Sequence, residues 1–220
     1  PLVRGRITPD GGSVIAPFAP PRKTIDTECI FVGGDDNYSH WVFRNLLKLS
    51  TLDHAGLLGR HPWLVNSDLR RHQREYLDLF RITPDNLVPV DRNDVIRCRK
   101  LVVPALLPNS DTICKGIEWI RSKLGQHMVA AGGADRFIYV SRRDSPRRVL
   151  LNEDRLWLEL SALGFELVVP GELSVVEQIR AFSSARLIVV THGAALANLI
   201  FAPRDAAIVE ITSTAIGRMD

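Results

Sequence analysis

The chain has 220 residues, of which 45% are hydrophobic and 24% are charged, and its formal net charge at pH 7 is +3. This balance is typical of a folded globular protein, and a charge so weakly basic does not indicate a nucleic-acid surface. Three cysteines without CxxC spacing favour neither a disulfide framework nor a zinc site, and no apolar run is long enough to predict a membrane-spanning helix. We therefore expect a cytoplasmic protein without a nucleic-acid partner, and peripheral contact with a membrane stays open.

The first half of the sequence alternates short apolar runs with segments of helical periodicity. Residues 1 to about 24 hold five of the 13 prolines and predict an extended arm. Strands are then predicted at 30–32, 63–65, 87–90 and 101–103, and helices at 37–53, 67–80 and 111–124. Asp36 or Asn37 is expected to cap the first helix, and Ser67 or Asp68 the second. Such alternation favours a parallel sheet of Rossmann type.

The second half repeats this alternation. Strands are predicted at 137–140, 165–169, 187–190 and 207–211, and helices at 152–163, 174–182 and 194–199. Asn152 is expected to cap its helix, Gly164 to end it, and Ser174 with Glu177 to form a capping box. The strands at 187–190 and 207–211 read as buried parallel strands. With a boundary at Gly132-Gly133, we expect an α/β fold of two Rossmann-like half-domains, 1–130 and 131–220, with a cleft between them.

An arginine-rich loop follows the strand at 137–140. Arg142, Arg143, Arg147 and Arg148 occupy four of seven consecutive positions, next to the predicted start of a helix. Guanidinium groups bind phosphate oxygens in a bidentate fork, and a helix N-terminus adds favourable dipoles, so this loop could clamp a diphosphate. The alternative is a solvated loop held by salt bridges.

A second candidate lies where the strand at 187–190 ends. His192-Gly193-Ala194 would occupy the carboxyl end of that strand, where ligands of open α/β sheets bind, and Gly193 would let a ligand approach the backbone. Glu210 lies at the end of the next strand, where a carboxylate can accept both hydroxyls of a ribose. Neither a G-x-G-x-x-G nor a P-loop motif is present, so hydride-transfer and P-loop interpretations lack support. The alternative is a turn with a buried histidine.

The third candidate is the start of the helix at 37–53. Asp36, His40 and Arg44 stand at i, i+4 and i+8, opposite Trp41 and an apolar side that includes Phe43, Leu46, Leu47 and Leu49. A carboxylate or imidazole there could act as general base toward a hydroxyl. The alternative is that these polar residues are simply the solvent-exposed side of the helix. Because no Asp-x-Asp motif occurs, we expect no carboxylate-bound metal and no cofactor.

The order of short motifs in this chain resembles the glycosyltransferase 61 family. The motifs are Asp36 to Trp41, Tyr139 to Arg143, Asn152-Glu153, Leu163 to Glu166, Leu173-Ser174 with Glu177-Gln178, Ala185-Arg186, His192 to Ala194, Asn198, Phe201 to Pro203 and Val209 to Ile211. They are densest in residues 136–212. The short length and few cysteines look like the bacterial branch of the family, which includes capsular polysaccharide biosynthesis proteins.

The resemblance implies a GT-B fold that holds a nucleotide sugar mainly in its second half and inverts the anomeric carbon by direct displacement. It implies a metal-independent hexosyl- or pentosyltransferase acting on a glycan or polysaccharide acceptor, with the first half on the acceptor side. Carried over by position, the donor-binding residues are Arg142, with Arg147 or Arg148 as helpers, then His192, Gly193 and Ala194 for phosphate or sugar, and Glu210 for ribose. Asp36 or His40 would be the base, and the sequence leaves that choice open.

Two other functions are compatible with the same motifs. One is a nucleotide-sugar-binding scaffold that has lost its chemistry, and the other is a GT-B-like sugar-nucleotide epimerase. The chain starts without Met and ends soon after the strand at 207–211, whereas the family usually continues beyond it. The sequence therefore leaves open whether it is a piece of a longer protein.

Overall fold

The computed structural model describes residues 23–91, 94–105, 107, 109–130, 132–145 and 150–212. Their backbone forms two compact units. The first unit extends to Asp36 and takes in Arg44–Ile113, and the second takes in Asn37–Phe43 and the described chain from Cys114 onward. The segment Asn37–Phe43 therefore belongs to the unit built mainly from the second half of the sequence. The predicted domain division at residue 130 stays a prediction.

The first unit contains a parallel sheet of four strands among the described residues, in the order β3-β2-β1-β4. The strands are β1 (Lys23–Ile30), β2 (Trp63–Asn66), β3 (Leu87–Val90) and β4 (Ile96–Val102). The prediction of a strand at 30–32 was wrong except for Ile30, where β1 ends. The strand begins at Lys23, and its first residues are largely exposed and include the charged Asp26 and Glu28, so no apolar pattern indicates it. The arm predicted for residues 1–24 lies outside the described residues except for Lys23 and Thr24, which belong to β1.

The helix predicted at 37–53 forms in three pieces: α1 (Tyr38–His40), a π-helical turn (Trp41–Leu46) and α2 (Lys48–His54). Asn37 caps α1, as one of the two predicted caps, by accepting a hydrogen bond from the His40 amide at 3.2 Å. Asp36 precedes the cap and the π turn follows His40, so the regular helical stripe expected for Asp36, His40 and Arg44 was wrong. The wider turn also leaves Phe43 41% exposed, away from the apolar side predicted for it.

Two further helices follow in sequence. Helix α3 (Arg71–Leu79) lies between β2 and β3, and helix α4 (Ser110–Leu124) comes after β4. The cap of α3 is Arg70, whose amide donates to the Gln73 side chain at 2.7 Å, and not Ser67 or Asp68 as predicted. The end of α4 at Leu124, before Gly125, is confirmed.

The second unit contains another parallel sheet of four described strands, in the order β6-β5-β7-β8. The strands are β5 (Arg136–Val140), β6 (Glu166–Val168), β7 (Ala185–Thr191) and β8 (Ala207–Ile211). Ile138, Val140 and Val190 in the two central strands are fully buried. The prediction of a buried strand was wrong for β8, which is largely exposed because, among the described residues, only β7 pairs with it.

Helices α5 (Glu153–Ala162) and α6 (Val175–Ser183) and a 3₁₀ helix (Ala194–Phe201) connect these strands. The capping box of Ser174 and Glu177 at α6 is confirmed. Asn152 occupies the cap position of α5, but its side chain makes no capping hydrogen bond, contrary to prediction. The predicted α/β class with two parallel sheets is confirmed. Within the described residues, no helix is long and apolar enough to cross a membrane.

Candidate functional site

The carboxyl ends of β5, β7 and β8 meet at one edge of the second sheet. Val140 pairs with Val190, and Val190 pairs with Glu210, so the residues that follow these positions emerge side by side. The His192 amide donates to the Ile211 carbonyl at 2.8 Å, which extends the ladder past the end of β7. Ligands of parallel sheets bind at such an edge, and we call this set of strand ends the carboxyl edge.

Arg142 crosses the carboxyl edge from the loop after β5 to the turn after β7. Its Nη1 donates to the His192 carbonyl at 3.2 Å, and its Nη2 donates to Ser145 Oγ at 3.0 Å. The guanidinium lies over Gly193, where a Cβ would come within 2.6 Å of Arg142 Cζ and overlap Nη1. Arg142 and the His192-Gly193 turn, both predicted site residues, are therefore brought into direct contact.

The turn at Gly193 opens the 3₁₀ helix. Gly193 is its cap residue and has no side chain to accept from the first amides, those of Ala194 and Ala195. The first amides of a helix have no acceptor within it, and the helix dipole favours an anion there. The carboxyl edge thus combines a guanidinium group with a helix N-terminus, the two features that bind phosphate groups in proteins.

His192 and Glu210 form a pair across β7 and β8. The distance between His192 Nδ1 and Glu210 Oε1 is 2.5 Å, and the side chains are 33% and 40% exposed. The sequence interpretation placed both residues in one candidate site but gave them separate roles and predicted no contact between them. Val190 pairs with Glu210, and His192 lies two residues after Val190, so its side chain points to the same face of the sheet. Knowledge of this register would have indicated the pair.

The sequence model of the family described as Glycosyltransferase 61 matches residues 38–209, which run from α1 through most of β8. The match covers well over half of the chain and includes β5, β6 and β7 whole and the first three residues of β8. The chain belongs to glycosyltransferase family 61. No curated protein sequence matches it significantly.

Membership of glycosyltransferase family 61 confirms the resemblance drawn from the motifs and makes the chain a glycosyltransferase. The family assignment does not distinguish its branches, so the bacterial capsular branch stays a prediction. His40, Arg142, His192 and Gly193 fall inside the matched region, whereas Asp36 precedes it by two residues.

The remaining arginines of the predicted clamp have different outcomes. Arg143 turns to the start of α5, where its Nη2 lies 2.5 Å from Asp154 Oδ1 and its Nε lies 3.8 Å from Glu153 Oε2. This residue therefore fits the alternative of a loop held by salt bridges. Arg147 and Arg148 lie outside the described residues, and their predicted role as helpers stays a prediction.

The sequence interpretation missed Glu153 as a functional candidate. Glu153 is only 7% exposed, and its carboxylate accepts hydrogen bonds from Ser141 Oγ at 2.6 Å and Tyr139 Oη at 2.8 Å. Burial, followed by the hydrogen bond to Glu153, raises the pKa of Tyr139. Ser141 Oγ also accepts from the Arg143 amide at 3.1 Å, so Glu153 fixes the backbone on both sides of Arg142.

The two predicted bases fall in different units. Asp36 belongs to the first unit, where its Oδ2 lies 3.6 Å from Nη2 of Arg70. His40 belongs to the second unit, together with Arg142, and is exposed. Across the described ranges no three His, Cys, Asp or Glu side chains cluster as metal ligands would, and the expected metal independence stays a prediction.

A groove of about 850 Å³ lies at the opposite edge of the second sheet. Its lining includes Ala134, Ser183 and Asp205, which precede β5, β7 and β8 respectively. Arg121 also faces it but donates to the carbonyls of Ile200 and Ala202, so its guanidinium is engaged by the backbone. Of the predicted donor residues that the structure describes, none lines this groove.

Proposed function

We propose that the protein is an inverting, metal-independent hexosyl- or pentosyltransferase that moves a sugar from a nucleotide-sugar donor to a hydroxyl of a glycan or surface-polysaccharide acceptor. The observation that carries the proposal is the contact of Arg142 with the His192-Gly193 turn at the N-terminus of the 3₁₀ helix. A nucleoside diphosphate is the donor fragment that such an arrangement fits, because its oxygens are anionic and adjacent.

In the proposed reaction, the acceptor oxygen attacks the anomeric carbon as the bond from that carbon to the diphosphate oxygen breaks. The nucleoside diphosphate leaves with the bonding electron pair, and the acceptor proton passes to a base. Negative charge grows on the leaving oxygen, where Arg142 and the amides of Ala194 and Ala195 would stabilise it without rearranging. The His192 imidazole would add a further contact, and the second carboxylate oxygen of Glu210 would accept from the ribose.

For the base we favour His40 over Asp36. His40 is exposed and belongs to the same compact unit as Arg142 and His192. The Asp36 carboxylate already faces the Arg70 guanidinium within the first unit. An imidazole is also the side chain most often used to accept a proton near neutral pH.

The proposal includes a GT-B arrangement, with a cleft between the halves and the donor held by the second half. Two parallel four-stranded sheets within the described chain support it. A role in bacterial capsular or surface-polysaccharide assembly belongs to the same proposal and rests on the motifs described above.

The test is calorimetric titration of the purified chain with UDP-, GDP- and CDP-sugars, followed by incubation of each bound donor with candidate glycan acceptors. We expect one donor class to bind and its sugar to appear on an acceptor with inverted anomeric configuration, which NMR of the product reports. Binding without transfer to any acceptor would favour a scaffold. Conversion of the donor sugar without an acceptor would favour an epimerase, and no binding by folded protein would contradict the donor site.

A further inference from the structure

A chain of hydrogen bonds links α1 to the core of the second unit. Tyr38 Oη donates to Asn198 Oδ1 at 2.5 Å, and Asn198 Nδ2 donates to Gln178 Oε1 at 2.9 Å. Gln178 Nε2 donates in turn to the carbonyls of Pro170 and Leu173 at 3.0 and 3.3 Å. Asn198 is 0% exposed and Gln178 is 6% exposed, so two of the three side chains are buried.

The direction of this chain is fixed by its buried end. Backbone carbonyls only accept, so the Gln178 amide nitrogen must face Pro170 and its oxygen must face Asn198. The Asn198 nitrogen then donates to that oxygen, which leaves Asn198 Oδ1 to accept from Tyr38. If either side-chain amide were flipped, two acceptors or two donors would face each other in a buried place, and the folded state would lose stability. This series of hydrogen bonds therefore requires a hydrogen-bond donor at residue 38, and the Tyr38 hydroxyl is that donor.

The segment that Tyr38 belongs to needs such an anchor. The residues on either side of Asn37–Phe43, Asp36 and Arg44, are part of the first unit. Helix α1 has only three residues and runs directly into the π-helical turn, so Tyr38 and His40 lie in the first turn of this helical stretch, where the first backbone amides have no acceptor within the helix. Trp41 contributes by burial, but the Tyr38 hydroxyl makes a directional bond into the second unit only two residues before His40.

We propose that Tyr38 is a positioning residue, whose hydrogen bond to Asn198 fixes the segment Asn37–Phe43, and with it His40, on the unit that carries Arg142 and His192. The inference rests on the proposed function, in which His40 accepts the acceptor proton. Asn198 lies in the same 3₁₀ helix whose N-terminus would hold the diphosphate. The bond thus ties the proton acceptor and the leaving-group site to one helix.

Hydrogen exchange tests the anchoring without any ligand. In Tyr38→Phe we expect the amides of residues 37–43 to exchange at least several-fold faster than in the wild type, while those of β5 and β7 are unchanged. Tyr76→Phe, which removes a phenol hydroxyl from a fully buried tyrosine of α3, is the matched control and should leave residues 37–43 unchanged. Equal exchange of residues 37–43 in Tyr38→Phe and wild type would overturn the anchoring role.

A double-mutant cycle tests the link to His40. With a nucleotide sugar that the wild type cleaves, Tyr38→Phe should lower kcat about 10-fold and leave the Kd of the nucleoside diphosphate unchanged, because a small misplacement affects the reacting groups most. In a His40→Asn background the same substitution should have little further effect, since the group it positions is absent. Equal effects of Tyr38→Phe in both backgrounds would overturn the inference. Full activity of His40→Asn alone would instead contradict the base named in the proposed function.

Discussion

The guanidinium group of Arg142 fills the space in which any side chain at residue 193 would begin, so Arg142 and Gly193 form a matched pair. Gly193 has a φ of 169°, which is extended backbone open to every residue. The glycine is therefore required for space and not for an unusual conformation. Its absent side chain lets Arg142 reach the His192 carbonyl and stand at the N-terminus of the 3₁₀ helix.

The first prediction concerns this pair. In Gly193→Ala the new methyl group collides with the end of a long, flexible side chain, so the Arg142 guanidinium moves and the fold survives. We expect a roughly 10-fold or greater loss of affinity for a nucleoside diphosphate, since a charge-assisted hydrogen bond is misplaced, with little change in the melting temperature. Gly125→Ala is the matched control, because a Cβ there meets open space. Wild-type affinity in Gly193→Ala would show that the position of Arg142 does not matter for binding.

The second prediction concerns Glu210, whose Oε1 contacts His192 and whose Oε2 is proposed to accept from ribose. Titrations should compare the nucleoside diphosphate that binds best with its 2′-deoxy analogue. In Glu210→Ala we expect the affinity for the ribose form to fall by about 1.5–3 kcal/mol and the preference over the deoxy form to disappear. If the preference persists, Glu210 does not contact the ribose. An equal loss for both forms would show that it acts through His192 alone.

Particular residues explain how far the sequence could predict this structure. β7 and its turn were predictable, because four consecutive apolar and mostly β-branched residues precede His192-Gly193 and leave few other structures open. β1 was not, because its start is exposed and its charged residues break the apolar pattern. The π turn at Trp41–Leu46 has no local sequence signal of the kind that capping residues provide.

For the candidate site, the sequence could not predict which side chains from distant elements contact each other. Sequence placed Arg142, His192 and Glu210 at strand ends, which is where they lie. Whether Arg143 faces a ligand or Asp154 depends on the orientation of α5, which no local pattern encodes. The hydrogen bond between Tyr38 and Asn198 joins residues 160 positions apart, and only the tertiary fold reveals it.

The third prediction concerns the buried carboxylate of Glu153. Glu153→Ala leaves the hydroxyls of Tyr139 and Ser141 without their acceptor in a buried place, so the free energy of unfolding should fall by about 1–3 kcal/mol. Urea denaturation measures this, with Glu159→Ala, an exposed carboxylate on the same helix, as control. Equal stability of the two variants would mean that the network around Glu153 is not formed in solution.

The fourth prediction is a pH dependence of stability that arises from His72 on α3. Burial lowers the pKa of His72, partly offset by Glu75 and Asp36, while Arg70 lowers it further. The unfolded chain then takes up this proton at a higher pH than the folded chain does, so folding stability is lost as the pH falls below about 6.5, the ordinary histidine value. His72→Gln removes this loss.

Urea unfolding of the wild type and His72→Gln at pH 7.5 and 5.5 checks the sign. The difference in unfolding free energy between them should move in favour of the variant at the lower pH. His54→Gln, which removes an exposed imidazole, is the control. A difference that is constant with pH, or that moves in favour of the wild type, would contradict the lowered pKa of His72.

The most direct test of the donor site is the affinity of Arg142→Ala for the nucleoside diphosphate that the wild type binds best, measured by calorimetry beside Arg180→Ala. Both variants lose one positive charge from the second unit, but Arg180 is exposed in the last turn of α6, which leads into the start of β7 and not into its carboxyl end. The account predicts that Arg142→Ala loses about 1.5–3 kcal/mol of binding free energy while Arg180→Ala stays close to wild type. If Arg142→Ala binds as tightly as the wild type, the diphosphate is not held at the carboxyl edge and the proposed donor site is wrong.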